Sequence, residues 1–167
     1  FRFWYRFVPA NISAIDSGRI SKTYPHLIKK HFSDYMGLIF EKMCRDYLLY
    51  YAEDLPVELN QLGQWWGTDP REKKQIQIDI VGVPVQESNQ KIAEYLMGSC
   101  KFKNEKIGLN ELELLERYAM AFAKGEKYYY IIFSLGGFTE ELLAVAHERN
   151  VMLLTLEDLY NYFNRML

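Results

Sequence analysis

The sequence predicts an α/β domain in which a mixed sheet, a three-strand antiparallel meander followed by parallel strands, is flanked by helices. Two features of the sequence support this prediction. Hydrophobic residues recur every three or four positions over residues 32–51, as in an amphipathic helix, and then alternate over residues 74–83, as in a half-buried strand. From residue 110 onward, helical patterns alternate with apolar strand patterns, which is typical of parallel strands joined by helical crossovers.

Composition and charge limit the class of protein. The chain has 167 residues, of which 49% are hydrophobic and 25% are charged, so a single domain can bury a core without cross-links. Cys44 and Cys100 lie far apart in apolar segments, which argues against a disulfide framework or thiolate metal site and favours the reducing cytoplasm. The net charge of −2 gives no global attraction to nucleic acid. The longest apolar run, at residues 128–135, is too short to cross a membrane, so no membrane partner is expected.

The first predicted element is an amphipathic helix at residues 32–51, with Glu41 on the flank of its apolar face. Residues 1–31 precede this helix as an aromatic lead-in segment, and the predicted domain spans residues 32–167. The chain opens on FRFWYRFV without an initiator methionine, and we expect it to be a piece of a longer protein.

Three strands are predicted next. The segment QLGQWWG forms the first strand. The second strand, at residues 74–83, places its three isoleucines on one face and Asp79 on the other, because side chains alternate along a strand. The third strand, at about residues 92–102, carries Lys101 near its end. The turn-like joints between these strands favour an antiparallel meander.

Helix and strand then alternate. A helix that starts at Asn110 is followed by YYYIIFS, an unbroken apolar run typical of a strand covered on both faces. A helix at residues 139–149, the strand VMLLT and a last helix from Glu157 complete the order. These strands are predicted to be parallel, because a helix separates each from the next.

Strand pairing brings several polar side chains to one place. If the turn between the second and third strands centres on Asn89, Asp79 and Ser99 are directly opposed on one face. Lys101 lies one side chain further along that face, and Glu41, on the helix above the sheet, can reach the same point. Such carboxylates hold Mg²⁺, which acidifies a bound water, while a lysine stabilises the hydroxide or the phosphate charge.

The segments that carry Glu41, Asp79 and Lys101 resemble the PD-(D/E)XK, or restriction-endonuclease-like, superfamily. With the other motifs, they more closely resemble the C-terminal domain of archaeal-type P-loop ATPases, a domain of unknown function also common in bacteria. The resemblance covers nearly the whole chain, and its motifs in order are FRFWYRFV, FSDYMGLIFEKMCRDYL, GQWWG, IDIVGV and GSCKF. It implies a restriction-endonuclease-like fold at residues 32–167 and, as a partner, an ATPase module upstream in the same protein.

Ser99 departs from the motif of the superfamily. The superfamily has a glutamate two residues before the lysine, and a serine hydroxyl is a poor Mg²⁺ ligand beside a carboxylate. The resemblance therefore implies vestigial or weak catalytic residues at Glu41, Asp79 and Lys101. Where Mg²⁺ binds, the implied ligands are Asp79, Glu41 and the backbone carbonyl of Cys100.

Three functions follow from this resemblance and remain open. The first is a nuclease-like C-terminal domain of a cytoplasmic ATPase, with a degenerate active site, that binds DNA or regulates the ATPase. The second is an active, Mg²⁺-dependent DNA endonuclease. The third is a protein-interaction module that docks through its aromatic N-terminus and does not bind nucleic acid.

Structural roles for the same residues also stay open. Asp79 and Lys101 can form a buried ion pair, and Glu41 can form a helix-surface pair with Arg45, worth about 0.2–0.5 kcal/mol. The tryptophans at residues 65–66 can stack on bases or close an edge of the core, and the sequence favours the core.

Overall fold

The structure is a computed structural model that describes residues 2–85, 94–122 and 124–165. The chain divides into two compact units, residues 1–39 and residues 40–167. Across the described ranges, no helix combines the length and the hydropathy that a membrane span requires.

The first unit is built from short helices, although the sequence predicted no element before residue 32. Phe3 and Phe7 lie four residues apart, and both rings pack edge-on against Tyr35, with centroid distances of 6.0 and 5.6 Å. These aromatic contacts stabilise helices that are too short to form in isolation. The elements are α1 (Arg2–Phe7), a 3-10 turn (Pro9–Asn11), α2 (Ile12–Asp16), α3 (Ile20–Thr23), a π turn (Tyr24–Lys29) and the start of α4 (Lys30–Tyr50).

The second unit contains a five-stranded mixed sheet flanked by helices, which confirms the predicted fold class. Its elements after α4 are β1 (Leu59–Thr68), β2 (Gln75–Pro84), β3 (Glu94–Lys101), α5 (Leu109–Phe122), β4 (Lys127–Ser134), α6 (Glu140–Val145), β5 (Val151–Thr155) and α7 (Leu156–Arg165). β1, β2 and β3 pair as an antiparallel meander, and β3, β4 and β5 pair in parallel. The predicted turn at Asn89 and the predicted start of the third strand at residue 92 lie outside the described residues.

A β-bulge interrupts the alternation of β2. The register shifts between Gly63 and Trp65 of β1, so that Asp79 and Ile80 of β2 together oppose a single residue. Ile78 consequently packs in the core beneath α5, whereas Ile80 packs in the core beneath α4. The prediction that all three isoleucines share one face was wrong, because it assumed an unbroken period of two.

Each face of the sheet has its own hydrophobic core. On one face, α5 contributes the buried side chains of Leu112 and Leu115. On the other face, α4 contributes Phe40, which packs with Phe133 of β4. These contacts fix both helices against the sheet, and each helix carries one glutamate of the candidate site.

The turn between β1 and β2 is tied to α5 by a buried carboxylate. Asp69 is 1% exposed, and its carboxylate accepts the Arg71 N–H at 2.8 Å and pairs with the Arg117 guanidinium of α5 at 3.1 Å. The Arg71 N–H in particular, with the Glu72 N–H and the charge of Arg117, holds the pKa of Asp69 below its ordinary value. These contacts fix the hairpin tip relative to α5.

The two tryptophans are divided between core and surface. Trp65 packs edge-on against Phe122 at a centroid distance of 5.6 Å, as the sequence favoured. Its indole lies across Gly67 so closely that a Cβ at residue 67 would stand 2.0 Å from the ring. Trp66 differs from the prediction, because its side chain is 64% exposed. Adjacent residues of a strand point to opposite faces, so only one member of the pair reaches this core.

Candidate functional site

A cavity of about 280 Å³ lies between β2, β3 and α5. Three residues that the sequence predicted to converge, Asp79, Ser99 and Lys101, line this cavity. Gln77 of β2 and Glu111 of α5 line it as well. The fold therefore brings together Asp79 and Lys101, the two predicted catalytic residues on strands, and adds the carboxylate of Glu111 from a helix.

Asp79 lies where β2 and β3 separate. Ile80 pairs with Gly98, which is the register that the predicted opposition of Asp79 and Ser99 requires, and the pairing of the two strands ends there. The Cys100 N–H donates to Asp79 Oδ2 at 2.9 Å, so the aspartate side chain takes the place of a ladder acceptor. Asp79 is one of the two bulged residues of β2, and bulges commonly redirect side chains.

The surroundings of Asp79 oppose its ionisation. Burial raises the pKa of Asp79, and the negative charge of Glu111 raises it further. The Cys100 N–H and the charge of Lys101 offset this rise only in part. The Gln77 amide donates to the second carboxylate oxygen at 3.3 Å. A buried carboxylate with incomplete neutralisation is suited to binding a cation.

Lys101 pairs with Glu111 in the structure. Its Nζ lies 3.0 Å from Glu111 Oε1, and the two side chains are 25% and 15% exposed. The Ser99 hydroxyl donates to the same oxygen at 2.8 Å. The ion pair between Asp79 and Lys101 that the sequence left open is replaced by this pair, although Lys101 still lowers the pKa of Asp79 from nearby.

Sequence reasoning missed Glu111. This residue lies in the first turn of α5, and it reaches the strand residues across the cavity from above. The alternation of side chains along strands relates only residues of the sheet to one another. It therefore gave no reason to select an acidic residue on a helix. The one available signal was an acidic residue at a helix start, which ordinary dipole compensation also explains.

Glu41 approaches Asp79 from α4. Its carboxylate accepts from Gln64 Nε2 at 3.1 Å and lies 3.7 Å from the Arg45 guanidinium, which confirms the predicted pair within the helix. Burial raises the pKa of Glu41, and the negative charge of Asp79 adds to the rise. The charge of Asp79 therefore acts on Glu41, but Glu41 is not among the residues that line the cavity.

The donor set fits a hydrated magnesium ion. Among the residues that the structure describes, no three His, Cys, Asp or Glu side chains are arranged as a metal centre. Mg²⁺, however, commonly uses one or two carboxylates and fills its remaining positions with water. The N–H and C=O of one strand residue point to the same side of the strand, so the Cys100 carbonyl lies on the side of β3 on which the Cys100 N–H binds Asp79. Asp79, this carbonyl and water can form such a site.

Comparisons with known proteins identify relatives of the chain. A segment of 66 residues is 32% identical to an uncharacterised protein of Methanocaldococcus jannaschii, and it covers 38% of this chain and 14% of that protein. A crystal structure of a protein of unknown function aligns with 76% of this chain and 67% of its own, at 20% identity and a TM-score of 0.45. A family model for archaeal and bacterial proteins of unknown function matches residues 4–114. Because this match spans more than half of its residues, the chain belongs to that family, DUF234.

Proposed function

We propose that the cavity binds a phosphodiester group of nucleic acid and hydrolyses it with Mg²⁺. The observation that carries this proposal is the convergence of Asp79, Lys101 and Glu111 on one cavity at the point where β2 and β3 separate. Carboxylates beside an ammonium group match the needs of metal-assisted phosphodiester cleavage. The resemblance of the same motifs to the PD-(D/E)XK superfamily supports this chemistry.

Each residue has a distinct part in the proposal. Asp79 and the Cys100 carbonyl would hold Mg²⁺, with Glu41 as the neighbouring carboxylate. A bound Mg²⁺ supplies an acidified water and positive charge beside the phosphate. Lys101 presents its ammonium group to a phosphate oxygen, and Glu111 orients that ammonium through their 3.0 Å contact. Glu111 also gives the cavity the carboxylate that β3 itself lacks.

Binding without cleavage is the second candidate function. The observation that favours it is also the contact between Lys101 and Glu111, because a lysine already neutralised by a carboxylate has less charge to offer a phosphate. In this version the domain binds DNA, or regulates an ATPase module of the same polypeptide, without hydrolysing a substrate. The sequence resemblance to the C-terminal domain of archaeal-type ATPases supports the ATPase as partner in both versions.

Cleavage assays decide between these functions. The chain would be incubated with supercoiled plasmid and with single-stranded circular DNA, in Mg²⁺ or Mn²⁺ and in EDTA. The first proposal expects cuts that depend on the metal. Intact substrates together with measurable DNA binding would instead support the second.

Mg²⁺ affinity is expected to rise from acid to neutral pH. Because the pKa values of Asp79 and Glu41 are raised, both carboxyls lose their protons at a higher pH than ordinary acids do. Only the ionised forms bind the metal. Without metal, these groups bind protons more tightly in the folded state, so their contribution to stability is present at low pH and is lost as pH rises through the raised pKa values.

Titration calorimetry in two buffers of different ionisation enthalpy measures both the affinity and the protons released. The Asp79→Asn variant should lose the binding and its pH dependence together. Affinity that stays constant across this range would show that these carboxyls are not the ligands.

Replacing Glu111 by glutamine separates the two candidate functions. If Glu111 positions a working lysine, Glu111→Gln should lower the cleavage rate by about 10- to 100-fold, as loss of an orienting partner does. If Glu111 only neutralises Lys101, the same variant should bind DNA more tightly and still leave it uncut. The matched control is Glu113→Gln, which removes an exposed acid of the same helix. A Glu111 variant that equals this control in both assays would exclude a role for Glu111.

A further inference from the structure

An exposed tryptophan lies beside the cavity and has no part in the chemistry proposed above. The indole N–H of Trp66 donates to Gln77 Oε1 at 3.2 Å. The amide group of Gln77 donates in turn to Asp79 Oδ1 at 3.3 Å, and both residues line the cavity. The Trp66 side chain nevertheless remains 64% exposed. Trp66 itself does not line the cavity, but this polar contact holds its indole next to Gln77, which does, while the ring stays open to solvent.

We propose that Trp66 stacks on an unpaired base and that the ligand of the cavity is single-stranded nucleic acid. This proposal rests on the proposed function, because it names the substrate class of the same site. Every nucleobase has a π face that an aromatic ring can cover, and proteins use such rings to bind single strands without regard to sequence. A base inside a duplex has both faces covered by its neighbours, so it cannot make this contact without being unstacked.

Basic side chains occur in the turn that joins the strands of the paired residues Trp66 and Gln77. The turn that follows β1 carries Arg71, Lys73 and Lys74, and all three side chains are exposed. Glu72, the acid among them, pairs with Lys74 at 3.2 Å and with the Arg117 guanidinium at 3.3 Å. Because the whole chain carries a net charge of −2, its phosphate contacts depend on local clusters of this kind. An exposed aromatic ring on a hairpin with a basic turn offers the two elements, stacking and positive charge, that single-strand binding sites combine.

The test measures binding rather than cleavage. Fluorescence anisotropy would follow a labelled oligothymidine and a labelled blunt-ended duplex of two complementary strands, both in Ca²⁺ so that neither is cut. Trp66→Ala should weaken binding of the oligothymidine by about 5- to 150-fold, the loss expected for one stacked base, and should leave duplex binding unchanged. Trp66→Phe should restore most of the affinity, because a phenylalanine ring also stacks on a base. It should do so although it cannot donate a hydrogen bond to Gln77. Tyr160→Ala removes a 52% exposed aromatic from α7 and serves as the control.

The outcomes separate this proposal from the catalytic one. A wild-type protein that cuts DNA while Trp66→Ala binds the oligothymidine normally would overturn the stacking role and leave the catalytic site standing. Selective loss of single-strand binding in a protein that never cuts would support the stacking role and reject hydrolysis. Equal affinity for both probes, or binding of neither, would overturn the single-strand assignment and leave Trp66 as a contact for another protein.

Discussion

Asp79→Asn is expected to abolish metal-dependent cleavage. Asparagine removes the negative charge that holds Mg²⁺, and loss of a direct ligand should cost more than the factor of about 10 to 100 that follows loss of an outer-shell partner. The amide oxygen can still accept the Cys100 N–H, which Asp79 accepts at 2.9 Å, so the local geometry should be retained. Cleavage of supercoiled plasmid, followed on gels at several Mg²⁺ concentrations, measures the effect.

The stability of this variant provides an independent check. Burial raises the pKa of Asp79, so the fold disfavours the ionised form, and a neutral side chain should be tolerated at neutral pH without loss of stability. A variant that folds, fails to bind Mg²⁺ and fails to cut would locate the loss at the metal. Undiminished cutting by a folded Asp79→Asn protein would refute the assignment of this residue.

Phe133→Ala should lower the free energy of unfolding by about 3–5 kcal/mol. Phe133 is fully buried, at 0% exposure, and its ring packs edge-on against Tyr47 of α4 at a centroid distance of 6.2 Å. The substitution removes most of a ring from a close-packed core and leaves a cavity that the two surrounding layers can fill only in part. Urea unfolding followed by circular dichroism measures the change.

Two further variants make this prediction specific. Met120→Ala truncates a side chain that is 73% exposed, and it should change the free energy of unfolding by no more than about 0.5 kcal/mol. Phe133→Leu keeps much of the volume, and it remains measurable if the alanine variant does not fold. Similar losses for Phe133→Ala and Met120→Ala would show that this core contributes far less than its burial implies.

The mixed sheet and the meeting of Asp79 with the third strand could be predicted, because both follow from period and register. In an antiparallel pair, the position assumed for the turn determines which residues of the two strands are opposite each other. The observed pairing of Ile80 with Gly98 agrees with the register that a turn centred on Asn89 would give. Glu41 could be placed on α4 for a similar reason, since a helix of this length has one apolar face.

The remaining features depend on contacts that local periodicity does not record. The bulge at Asp79 and Ile80 adds a residue to β2, and neither residue is a glycine or a proline. A strict alternation continued past this point therefore assigns Ile80 to the wrong core. The partner of Lys101 was missed because Glu111 belongs to another layer of the fold. The helices of residues 2–29 were missed because each is too short to show a repeat.

The close approach of the Trp65 ring to Gly67 restricts which pairs of residues can occupy positions 65 and 67 in homologues. Phe122 packs edge-on against the same ring, which limits how far the ring can move away from residue 67. Homologues that keep an aromatic residue at position 65 should therefore keep glycine at position 67, and those that acquire a larger residue there should have lost the aromatic. The two positions should covary even though neither touches the candidate site.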